Sequence, residues 1–151
     1  MKPDLDRFLE VASAHVLMRT APATGGGYEQ GSTMVLGLLL TQLREEVDRA
    51  AARRVEENRE LRRLFAEAVS SGGAVEDPAL RERLAASAAG EDTDLAVSAL
   101  ERSNALLRAL LIDLHAHVET LESAAARRVE AAIWRELVAS TERRKLSMGP
   151  Y

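Results

Sequence analysis

A chain of 151 residues is about the size of one ordinary domain, and with 46% hydrophobic residues, 29% charged residues and only 3% aromatics it has the composition of a globular protein built from helices. Its formal net charge of -4 gives no electrostatic reason to expect nucleic acid or an anionic membrane as a partner. The absence of cysteine excludes disulfides, thiolate metal sites and cysteine nucleophiles, which leaves carboxylates and the three histidines as metal ligands.

Near the N-terminus, Asp4, Asp6 and Glu10 interrupt the apolar core that an export signal needs, and the longest apolar run, residues 34–40, is about a third of a membrane span. A cytoplasmic protein without membrane contact is the expectation. Leu5, Phe8, Leu9, Ala12 and Val16 keep the i, i+3, i+4 spacing of one helix face, so an N-terminal helix is predicted up to about Arg19. Residues 20–27 combine Pro22 with three consecutive glycines and read as a loop.

The stretch "GGYEQGST", residues 26–33, has the glycine spacing of a phosphate-binding loop. Ser32 stands where such a loop needs Lys, Glu29 puts a negative charge among the phosphate ligands, and a helix rather than a strand precedes it. The glycines are read instead as a turn, with Gly31, Ser32 and Gly37 forming a small-residue surface for close backbone approach.

A long helix is predicted from about 32 to 69, its apolar seam running through Leu36, Leu40, Leu43, Val47, Ala51, Val55, Asn58, Leu61, Phe65 and Ala68 and closing at Gly72 and Gly73. A short crossover helix follows, with Asp77 as N-cap, Pro78 in its first turn, Leu80 and Leu84 on one face and Gly90 after its end. A second long helix is predicted over about 92–122, opened by the acidic run Glu91, Asp92, Asp94 and carrying the seam Leu100, Asn104, Leu107, Leu111, Leu114, Val118, Leu121, Ala125. One rod from Asp92 to Lys145 would be about 80 Å long. Either it bends near residues 120–126, so that a C-terminal helix folds back, or it projects and pairs with another copy.

The fold expected is therefore all-α: a single domain over 1–151, forming an antiparallel helical bundle on the two long helices, completed by the N-terminal, crossover and C-terminal helices. If Asn58 and Asn104 face each other in an antiparallel pair, Glu45, Asp48, Asp113 and His117 come into one neighbourhood. Such a set suits a divalent metal such as manganese, iron or zinc. The Glu-x-x-His motif of ferritin-like di-iron bundles is absent, and without the cluster no cofactor is expected. The two seam asparagines read as a polar pair fixing register, or as ligands for a polar molecule inside the bundle.

The single tryptophan lies in the C-terminal segment with Arg135, Leu137 and Val138, a group suited to an interface, or else Trp134 caps the chain's own core. Met18 and Met34 with nearby leucines suggest an apolar pocket or plain core filling. No nucleophile elbow or other catalytic constellation is evident. The expected function is association, as an adaptor, regulator or accessory subunit, with itself as a homodimer or with another protein; the alternative is a metal-binding bundle enzyme or sensor.

Overall fold

The structure, a computed structural model, describes residues 4–147. The described residues form helices and connecting turns with no strand: α1 (Leu5–His15), α2 (Ala21–Ala23), α3 (Gly27–Ser70), α4 (Pro78–Ala88), α5 (Val97–Glu119) and α6 (Ala124–Arg143), with a π-helical turn over Val16–Thr20 joining α1 to α2. None of these helices is long and apolar enough to cross a membrane. The chain divides into two compact units, residues 1–50 with 146–151 and residues 51–145, and α3 contributes to both.

In the first unit, Asp4 caps α1 by accepting the Arg7 backbone N–H at 3.3 Å. The helix runs past the expected end near Arg19 through a widened turn, which fits the approach to Pro22, whose ring clashes with a carbonyl four residues back in a regular helix. The chain reverses over Thr24 to Gly26. Gly26 and Gly27 take positive φ of 87° and 67°, which glycine adopts at little cost, so α3 starts at Gly27 and not near residue 32. Of the small residues, Gly37 makes the close approach: a Cβ there would lie 2.6 Å from Leu17 Cγ, whereas Gly31 has open space around it. Arg44 clamps Asp6 through Nε and Nη2 at 2.5 and 2.9 Å.

The second unit is a four-helix bundle of the C-terminal part of α3 with α4, α5 and α6. Phe65, Leu84, Leu114, Val118 and Ile133 are at most 1% exposed and form its centre. The Asp77 cap on α4 forms as expected, its carboxylate accepting the Ala79 N–H at 2.9 Å. α5 begins at Val97 and not at Asp92, because Asp92 is drawn into a tertiary ion pair with Arg62. The C-terminal helix does fold back: the chain turns at residues 120–123, and Ser123 caps α6 by accepting the Ala126 N–H at 3.0 Å while donating to the Gly73 carbonyl at 2.9 Å.

Contacts fix the directions of the four helices. Arg54 meets Glu101, Asn58 meets Asn104 and Gly73 meets Ser123, so residue numbers rise together and α3 and α5 run parallel. Glu57 contacts Ser140 and Arg144 near the end of α6, which returns antiparallel. Successive helices thus reverse, as in an up-down-up-down bundle, with the two long helices both pointing up. The expected antiparallel pairing of those two is not formed, because α4 and the connection over residues 89–96 together carry the chain back along the bundle before α5 begins.

Candidate functional site

The first unit leaves a broad apolar surface uncovered. On α3, Leu36, Leu39, Leu43 and Val47 step by three and four along one face and are 42–54% exposed. Further along α3 the same face, at Leu61, Leu64, Phe65 and Ala68, is buried by the other helices of the second unit. Another side of α3 carries Gly37, close to Val16 and Leu17 of the π-helical turn, and Arg44, paired with Asp6 of α1. On α1, Leu5, Phe8 and Val11 are exposed as well, whereas Leu9 and Ser13 are buried. The N-terminal part of the expected seam is therefore at the surface.

The second unit holds a buried polar centre. Asn104 donates to Asn58 Oδ1 at 2.9 Å, and Asn58 donates in turn to Asp92 at 3.0 Å, so the two seam asparagines meet. Asp92 also accepts both terminal nitrogens of Arg62, at 3.0 and 2.8 Å, and the Ser103 hydroxyl at 3.0 Å. The Arg62 guanidinium holds the Asp92 carboxyl below the usual carboxylate range, with help from Asn58 and Ser103. Beside it, Glu57 is 2% exposed and accepts Arg144 through Nε at 2.8 Å and Nη2 at 3.1 Å, and also Arg54. Burial pushes the Glu57 carboxyl up, but Arg144 and Arg54 together outweigh it and keep the group below its ordinary value. Glu136 goes the other way, raised by burial despite its pairing with Arg143.

The four residues expected to gather as metal ligands are placed apart in function. Glu45, in the first unit, accepts the Ser147 hydroxyl at 2.6 Å and Arg49 at 2.6 Å, and those bonds lower its carboxyl. Asp48 lies in a recess of the same unit with Asp6 and Arg44. In the second unit, Asp113 pairs with Arg83 at 2.6 Å, and His117 Nε2 accepts the Glu76 backbone N–H at 3.0 Å. The expected grouping depended on α3 and α5 running in opposite directions, and their parallel course removes its basis. Met18 and Met34 are both exposed, so neither lines an interior pocket.

On α6, Trp134 and Val138 are 53% and 63% exposed, Arg135 is exposed and Leu137 is half-buried. The Trp134 ring meets His115 of α5 edge-on, at a centroid distance of 5.3 Å. Among the described residues, the one group of three His, Asp or Glu side chains close enough to share an ion is His115, Glu119 and Glu130, whose ligand atoms lie within 4.8 Å of one another. The sequence carried half of that signal, since His115 and Glu119 are four apart on a helix. Glu130 joins them only through the turn at residues 120–123. No family model, curated protein or solved structure matches the chain.

Proposed function

We propose that the protein works by association, as an adaptor, regulator or accessory subunit in the cytoplasm, and that its first unit pairs with the first unit of a second copy. The exposed stripe Leu36, Leu39, Leu43, Val47 carries this reading. A helical hairpin is a single layer and buries little of its own apolar surface, here chiefly Leu9 and Ala21. Two such hairpins face to face make a four-helix arrangement, in which a stripe with three-four spacing meets its own copy across a two-fold axis. The four stripe residues expose on the order of 400 Å² of apolar surface, the size at which a patch on a monomer is commonly a contact surface. A pairing of like with like also needs no complementary patch elsewhere on the chain. Trp134 and Val138 on α6 form a smaller second patch, which takes no part in this pairing.

Light scattering after gel filtration tests the reading. Wild-type protein should run as a dimer of the 16.4 kDa chain. Leu39→Asp with Leu43→Asp should give a monomer of unchanged helical circular dichroism, while Val138→Asp should stay dimeric. A wild-type monomer at every concentration, or a dimer broken only by Val138→Asp, would remove the proposal.

A further inference from the structure

Three side chains on the α5–α6 hairpin converge where neither the apolar stripe nor the buried polar centre reaches. α5 sets His115 and Glu119 one helical turn apart on one face, and α6, turned back by the Ser123 cap, brings Glu130 up to them. An imidazole nitrogen and one oxygen from each carboxylate fall within 4.8 Å of one another.

A second observation is independent of that proximity. His115 Nε2 is shielded from solvent and has no hydrogen-bond partner. Its nearest acid, Glu119 Oε1, is 3.6 Å away, too far for a hydrogen bond. A buried polar atom left without a partner costs about 1–3 kcal/mol, and such atoms are rare in folded proteins. The Trp134 ring packs against the imidazole in a T-shaped contact, with ring centroids 5.3 Å apart. Of the carboxylates drawn into tertiary ion pairs, Asp6 is held by Arg44, Asp92 by Arg62 and Glu57 by Arg144. Glu130 has no ion pair among the described residues, and Glu119 has only the distant His115.

We propose that His115, Glu119 and Glu130 form a binding site for a divalent cation of the zinc class. The donor set decides the class. Calcium and magnesium take oxygen ligands, whereas one imidazole nitrogen with two carboxylates suits zinc, cobalt, iron or manganese, and zinc binds strongly to this combination. Zinc bonds of about 2.0–2.2 Å require ligand atoms roughly 3.2–3.6 Å apart, so a pair as far apart as 4.8 Å must close by about 1.2–1.6 Å on binding. The two carboxylates neutralise the ion. Three protein ligands leave one tetrahedral position for water or an incoming group. The ion would also tie α5 to α6 at the end of the hairpin nearest its turn.

The only tryptophan of the chain adjoins the site, so its emission reports on it directly. Cobalt(II) chloride added to metal-stripped protein should quench Trp134 with a stoichiometry of one ion per chain, and zinc chloride should reverse the quenching by competition. Zinc should also raise the melting temperature of the wild type. Glu130→Gln and His115→Asn should each weaken the cobalt affinity by roughly tenfold or more and abolish the zinc-induced stabilisation, whereas His15→Asn should leave both intact. Because Glu130 and Glu119 are not core residues, Glu119→Gln gives a second ligand variant whose fold can be checked by circular dichroism. Absence of saturable quenching, or quenching that survives Glu130→Gln and Glu119→Gln unchanged, would overturn the assignment.

Discussion

Asn58 and Asn104 are amides in positions where the seam otherwise places leucine, and their exposure, 0% and 3%, means that every unmet hydrogen bond counts. Asn104→Ala strands Asn58 Oδ1 and should lower the unfolding free energy by about 1–3 kcal/mol in urea denaturation. Replacing both by leucine leaves Asp92 short of one donor but removes the stranded amide, so the double variant should recover part of that loss. Glu57 and Asp92 set the response to acid. Both carboxyls sit lower in the fold than in the unfolded chain, so the stability they contribute is complete above the ordinary carboxylate range and is lost as pH falls through about 4 and below. Glu136, raised by burial, works in the opposite sense, its contribution fading as pH rises. With Asp6 and Glu45 lowered as well, four lowered carboxyls stand against one raised, so stability measured by urea at about pH 6 should exceed that at about pH 3, and Glu57→Gln should reduce the difference. The asparagines were legible because polar residues interrupt an apolar period. Glu57 was not, since its partner Arg144 is 87 residues away and nothing local marks a glutamate as buried.

At the scale of elements, local chemistry was legible wherever it acted alone. Asp77 with Pro78 opens α4 as the capping pattern says, and the glycines at 72 and 73 close α3. Tertiary demands displaced the rest. An acidic run suits a helix N-terminus, yet Asp92 gains two charged hydrogen bonds from Arg62 by staying in the connection, and α5 starts five residues later. Helix α3 gained five residues at its start because Gly26 and Gly27 turn the chain more tightly than a loop of eight residues requires. Gly37 has a consequence of its own. Gly37→Leu drives a side chain into Leu17 and Val16, and should separate α1 from α3 at a cost of about 1–3 kcal/mol despite the better helix propensity of leucine. Hydrogen exchange should detect it as faster exchange in α1, with α5 and α6 unaffected.

For the whole molecule, the helical class followed from composition and period, whereas the directions of the helices did not. What periodicity does not carry is the partner of each stripe. The seam of α3 has the same three-four spacing at Leu39 and Leu43 as at Leu61 and Phe65, yet only the second stretch is covered. The direction of α5 depended on whether α4 and the connection after it return along the bundle, which 11 helical residues followed by an acidic run do not state. The uncovered stretch is where the proposed second copy would dock, with matching spacing. The chain contains no cysteine, so Gln42→Cys, beside the stripe, accepts a single spin label. Pulsed electron resonance on the labelled protein should give a narrow intermolecular distance that disappears when labelled chains are diluted with unlabelled ones. A decay with no dipolar modulation at concentrations where the protein is fully folded would contradict pairing through α3.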